Sequence, residues 1–215
     1  VDPNVLLFMG MFVIGEAFFA TGVAVGVGNV VHKFAKTETS LLVAVMMITG
    51  ILSGFLSNTG TAAVLIPVII GICKKSGFKQ TKLLMPLVFA AAMGGNISLI
   101  GAPGNMIAQA GLQQAGLGSF NFFDYGLVGL PILIVGTIFY ATIGKRFLPD
   151  APSHQPDGAF EGNDDYSHVP SWKKWTAAIV LILTVVAMIF EKQLGVKLYV
   201  SAWIGALVLV ATNVI

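Results

Sequence analysis

The sequence predicts an all-α polytopic membrane protein built around a re-entrant helical hairpin and a discontinuous transmembrane helix. Three observations carry that expectation. First, 56% of the residues are hydrophobic and 10% charged, with a mean hydropathy of +0.86, whereas roughly a quarter of the residues in a soluble domain are charged. Second, an uncharged run over residues 39–73 is broken by the polar tetrad Ser57-Asn58-Thr59-Gly60, and the run is far longer than the roughly 20 residues one crossing needs. Third, another uncharged run, residues 83–123, is broken between Gly94 and Asn105. Loosened backbone at membrane depth leaves N–H and C=O groups unpaired at a cost of several kcal/mol, unless protein or trapped water receives them. Both breaks are therefore expected to line a site.

The first helix opens at Asp2-Pro3, where Asp caps free N–H groups and Pro lacks a donor that would be idle anyway. It runs from residue 4 to about 20 and is apolar apart from Glu16. An ionisable residue at membrane depth is a functional candidate, but Glu16 lies near the end of a short span. Snorkelling to the interface, or pairing with Lys33 or Lys36, accounts for it. Over residues 21–36, small and β-branched residues give way to Asn29, His32, Lys33 and Lys36, the pattern of a short amphipathic helix lying in the cytoplasmic interface. His32 reads there as a solvated interfacial residue.

The tetrad divides residues 39–73 into arms over 41–56 and 61–73. The second arm has 13 residues, too few to span, so a hairpin with both ends on one side is expected. Lys33 and Lys36 precede it, and Lys74, Lys75, Lys79 and Lys82 follow. With a hairpin, 10 of the 12 basic residues fall on one side, against 8 and 4 for a single crossing. The positive-inside rule prefers the first count.

Residues 83–114 are expected to cross once as a broken helix. Its pieces, 83–93 and 103–114, have 11 and 12 residues and reach roughly 17 Å each, about half the membrane. Residues 115–123 carry no Lys or Arg and form the outer loop. A helix from about 123 to 144, with Pro131 as its kink position, is expected to return to Lys145-Arg146. Residues 148–171, with Pro149, Pro152, Pro156, Pro170 and five acidic residues, read as a cytoplasmic linker. His154, Asp164, Asp165 and His168 do not make a metal site there, because no helix fixes their spacing. Trp172, Lys173, Lys174 and Trp175 anchor the next helix at the inner interface. It leads through an outer turn at 191–197 to Tyr199, Trp203 and a last apolar span.

The net charge of +2 is too small to point to nucleic acid. The single cysteine, Cys73, excludes a disulfide within the chain and reads as a packing residue. Residue 1 is Val with no charged n-region, so the start does not read as a signal peptide. The last residues stop inside an apolar helix, and the expectation is a piece of a longer chain without a soluble domain.

Two interrupted hydrophobic segments in one chain point to the binding site of a secondary transporter. If the breaks face each other, the helices that begin after them aim unpaired N–H groups, each end worth roughly half a positive charge, at one space that attracts an anion. The arms that enter the breaks end there in carbonyls. With the side-chain oxygens of Ser57, Asn58 and Ser53 these suit a small hard cation such as Na+. Glycines at 60, 94, 95, 101 and 104 permit close backbone approach. Small residues also serve simple helix packing, which explains Gly22 and Gly26 but not the clustering of Ser-Asn-Thr with Asn96, Ser98 and Asn105. No Lys-Ser/Thr follows the glycines and no strand precedes them, so a phosphate-cradling loop is rejected.

Ser57-Asn58-Thr59-Gly60-Thr61-Ala62-Ala63 followed by Leu65-Ile66-Pro67 resembles the Ser-Asn-Thr signature of the divalent anion/sodium symporter family, within the ion transporter superfamily. Ala91-Ala92-Met93-Gly94-Gly95 through Ile100-Gly101-Ala102-Pro103-Gly104-Asn105 is similar to that family's second signature. The similarity runs over about residues 3–147. It implies Na+-coupled uptake of dicarboxylates, citrate or sulfate, inverted repeats, a homodimer in the cell membrane and elevator-type movement. By the same resemblance, Ser57 and Asn58 with a carbonyl of Gly94 or Gly95, and Ser53 in addition, would hold Na+. Asn58 and Thr59, joined by Ser98, Gly101 and Asn105 at the second break, would bind the anion. Residues 1–147 would form the first repeat, with the hairpin at 39–73 and the broken helix at 83–114; 148–171 would be the linker and 172–215 the start of a second repeat. The family has Thr-Pro where this chain has Ser98-Leu99, and Pro-Pro-Asn where it has Pro103-Gly104-Asn105, which leaves the anion and the coupling ion open. The rivals are an arsenite or Na+/H+ antiporter of the same superfamily and a membrane scaffold subunit that transports nothing. No acid, base, nucleophile or metal cluster accompanies the breaks, so an enzyme is not expected.

Overall fold

The computed structural model describes residues 3–23, 26, 37–76, 78–148, 166 and 169–214, and over these residues the chain is helical with no strand. In order it forms α1 (Pro3–Ala20), α2 (Glu38–Ser53), α3 (Asn58–Ser76), α4 (Thr81–Gly94), α5 (Pro103–Gln114), α6 (Gly126–Thr142), a 3-10 turn (Gly144–Arg146), α7 (Ser171–Ile189), α8 (Glu191–Leu194) and α9 (Leu198–Ala211). Thr37 starts α2 by accepting the Ser40 N–H on its hydroxyl at 3.1 Å, with Glu38 in the first turn suited to the positive helix end. Gly116, at φ +70°, ends α5. Only a residue at ease in the left-handed region lets the Leu117 N–H reach back to the Leu112 carbonyl at 3.2 Å.

The helices pack as two groups. In the first, Leu41, Leu42 and Met46 of α2 and Leu65 and Ile69 of α3 bury against Leu83 and Leu87 of α4 and Leu133 of α6. In the second, Leu7, Ile14 and Phe18 of α1 meet Val180 and Leu181 of α7 and Ala202, Ala206 and Leu209 of α9. Leu56, Ile100, Met106 and Phe122 belong to this second core. The interruption between α2 and α3 and the one between α4 and α5 therefore lie where the groups meet.

Between helices in lipid the contact energy comes from close packing rather than from leaving water, and the chain supplies small residues at the crossings. A Cβ on Gly94 would collide with the Gly50 backbone, and one on Gly10 would lie 2.9 Å from the Ala202 Cβ. The Trp203 indole donates to the Leu6 carbonyl at 3.0 Å, tying α9 to α1. Leu127, Val128, Val135 and Ile138 on α6, Ile182 and Leu183 on α7, and Leu207 and Val210 on α9 are each more than half exposed. Apolar faces of this kind suit hydrocarbon, since water-exposed surfaces rarely carry large apolar patches. By length and composition together, α1 and α7 are the two candidate spans among the described residues; α3 is as long as α7 but ends in Lys74, Lys75 and Ser76, and its apolar part, residues 58–73, is shorter.

Two expectations need correction. The second hairpin arm begins at Asn58, not Thr61, and α3 runs for 19 residues, roughly 28 Å, so length does not exclude a crossing. The reason is local: Ser57 caps the helix, accepting the Gly60 N–H on its hydroxyl at 3.1 Å and the Thr61 N–H on its carbonyl at 2.9 Å. Three residues of the tetrad thus form the first turn of α3, and the true interruption is 54–57. The helix expected from residue 123 begins at Gly126, because the Asp124 carboxylate accepts the Asn121 backbone N–H at 2.7 Å and holds a turn. The interfacial helix at 21–36, including Asn29, His32, Lys33 and Lys36, lies almost wholly outside the described residues. So does most of the linker, with His154, Asp164, Asp165 and His168.

Candidate functional site

Polar side chains close both interruptions, and Ser98 links one to the other. Ser53, the last residue of α2, is fully buried and donates to the Ala91 carbonyl of α4 at 2.7 Å. Ser98, also fully buried, donates to the Gly54 carbonyl. Asn105, in the first turn of α5, spans the broken helix: its Nδ2 donates to the Gly95 and Ser98 carbonyls at 2.9 Å each, and its own carbonyl accepts from the Tyr125 hydroxyl at 2.9 Å. The Leu99 N–H donates to the Phe122 carbonyl at 2.9 Å. Backbone groups released by the missing helical turns thus find protein partners, which is what permits irregular chain inside a bundle.

Asn58 sits at the centre. Its amide lies against Gly95, so that any Cβ on that glycine would collide with it. One end of the amide faces three oxygens: Ser53 Oγ at 2.6 Å, the Ala91 carbonyl at 3.1 Å and the Gly101 carbonyl at 3.2 Å. Ser53 has a single proton, for which the Ala91 carbonyl and Asn58 Oδ1 compete, so with Oδ1 at that end four oxygens converge with only that proton among them. That arrangement is satisfied only with a cation bound; without one, hydrogen bonding favours the opposite orientation of the amide. With the amide turned over, the two Nδ2 protons are shared among the three oxygens, Ala91 also accepting from Ser53, and no cation is needed. The all-oxygen donor set is hard and fits Na+ better than a soft metal ion.

Beside this frame lies a cleft of about 270 Å³. Ser57, Thr59 and Gly60 border it from the start of α3, Gly101 and Pro103 from the start of α5, and Gly15, Glu16 and Phe19 from α1. The first turns of two helices thus adjoin one space, where their partial positive charges add.

The structure separates the sequence-derived candidates into two sets. Ser57, Thr59 and Gly101 border the cleft; Ser53, Gly94, Gly95, Ser98 and Asn105 are buried, and Asn58, half-buried, contacts the buried group without lining the cleft. The Gly94 carbonyl is taken by the Ile97 N–H at 2.9 Å and that of Gly95 by Asn105. The carbonyls that face Asn58 are those of Ala91 and Gly101. Sequence reasoning missed Ala91, the seat of Phe19 against Gly60 and the place of Glu16 on the cleft. Backbone carbonyls carry no residue-type signal, and α1 contacts the tip only through tertiary packing.

Hydrophobic helical segments interrupted in mid-bundle are a feature of membrane transporters. The comparisons agree with that class. The chain belongs to the citrate transporter (CitMHS) family, which matches residues 1–215 and lies within the superfamily the two signatures resemble. It is 32% identical over 158 residues to the uncharacterized transporter YfbS of Escherichia coli, covering 73% of this chain and 26% of that protein. It is 29% identical over 156 residues to sodium/sulfate cotransporter 1 of Chlamydomonas reinhardtii, covering 69% and 18%. It is 24% identical over 213 residues to a 46 kDa membrane protein of Mycobacterium leprae, covering 97% and 48%. The chain therefore spans less than half the length of these relatives.

Proposed function

We propose that this chain carries the hairpin and broken helix of a secondary active transporter that takes up small di- or tricarboxylates or sulfate together with Na+. One observation carries the reading: Gly101 belongs both to the oxygens around Asn58 and to the cleft bordered by the first turns of α3 and α5. A cation bound beside an anion partly neutralises it, so each favours the binding of the other. Na+ is held by Ser53 Oγ and Asn58 Oδ1 with the carbonyls of Ala91 and Gly101. The anion lies in the cleft against Ser57, Thr59 and Gly101. Ser98, Asn105, Gly94 and Gly95 keep the frame in shape. The name of the Chlamydomonas relative supports Na+ coupling and a sulfate-type anion; the family name supports citrate. The protein works as a homodimer in a cell membrane, and the two interrupted segments move together as the mobile element of an elevator.

Uptake of labelled citrate, succinate or sulfate into proteoliposomes, driven by an inward Na+ gradient and lost in Asn58→Ala, is the expected result. Na+ exchanging for H+ with no organic anion would favour the antiporter branch of the superfamily. No saturable anion binding, together with an Asn58→Ala variant of unchanged function, would leave a scaffold role and overturn the proposal.

A further inference from the structure

Glu16 sits on the turn of α1 that is seated on the hairpin tip. On one side, a Cβ on Gly15 would touch Leu56 at 3.8 Å; on the other, the Phe19 ring fills the space a Cβ on Gly60 would need. Glu16 is exposed and borders the same cleft as Ser57, Thr59, Gly101 and Pro103. It is the one ionisable residue on that cleft among the described residues. An ionised carboxylate only accepts hydrogen bonds. The first turns of α3 and α5 attract an anion, while a carboxylate bordering the same cleft repels it. The conflict is removed when the anion places its charge at the helix ends and turns a hydroxyl toward Glu16.

We infer that Glu16 is a specificity-determining residue of the cleft, selecting hydroxylated di- and tricarboxylates over their deoxy analogues and over sulfate. The inference rests on the reading of the cleft as the anion site.

Competition for uptake into proteoliposomes of the full protein tests it, with the pairs malate and succinate, citrate and tricarballylate, and with sulfate. A charge-assisted hydrogen bond to the hydroxyl predicts a wild-type preference of about tenfold or more for the hydroxylated member of each pair. E16L brings that ratio close to one and improves competition by sulfate. E16Q keeps an acceptor oxygen without the charge, so it improves sulfate while retaining part of the hydroxyl preference. A wild type without the preference, or ratios unchanged in both variants, overturns the role of Glu16 and leaves it a solvated interfacial residue. Failure of every one of these anions to compete in the wild type overturns the anion-site reading itself.

Discussion

The Asn58 amide rests on the Cα of Gly95, with no space for a Cβ between them. This contact joins the start of α3 to the end of α4 and fixes the distance between the hairpin and the broken helix. Gly95→Ala has to displace Asn58 or lengthen that distance. We expect it to cost about 1–3 kcal/mol of stability through overpacking and to abolish Na+-stimulated uptake. Thermal melting of detergent-purified protein and a Na+ titration of uptake would check both.

Ser53→Ala removes the hydroxyl shared by Asn58 and Ala91. Hydrogen bonds inside membrane bundles are worth about 0.6 to 2 kcal/mol, so the fold should survive. Apparent Na+ affinity should fall, with the anion affinity at saturating Na+ close to that of the wild type. An unchanged Na+ dependence would remove Ser53 from the cation site.

Asn105→Leu has nearly the same volume but leaves the Gly95 and Ser98 carbonyls without their donor. Buried acceptors left unpaired cost about 1–3 kcal/mol each. The variant should melt lower than Ser53→Ala, and amide exchange should rise over the segment between Gly94 and Pro103.

Gly94→Leu forces a side chain into the Gly50 backbone, where no rotamer can relieve the overlap. Severe destabilisation is expected, visible as loss of monodisperse protein on size-exclusion chromatography, whereas Gly104→Ala, where the added Cβ meets open space, should behave as wild type.

Thr61 is buried and its hydroxyl has no partner among the described residues. Thr61→Val replaces that hydroxyl with a methyl of similar shape, so stability should stay the same or rise slightly. A large loss of melting temperature or of Na+ affinity would show that the hydroxyl has a partner in the working protein.

The sequence by itself determined the helical class, the two interruptions and the family, because these are local properties: an uncharged apolar run and polar or glycine residues within it can be read without knowing what they touch. It also placed Ser57, Asn58 and Gly95 at the interruptions. It misjudged where α3 begins, since Ser57 as a cap draws Asn58, Thr59 and Gly60 into the helix. Tertiary structure alone decided that the carbonyls of Ala91 and Gly101 face Asn58, that Ser98 and Asn105 are buried and that Glu16 borders the cleft. Those relationships depend on the crossing of α2 and α4 at Gly50 and Gly94 and on the seat of α1 against the tip. Contacts between segments far apart in the chain leave no periodic trace in the residues that make them.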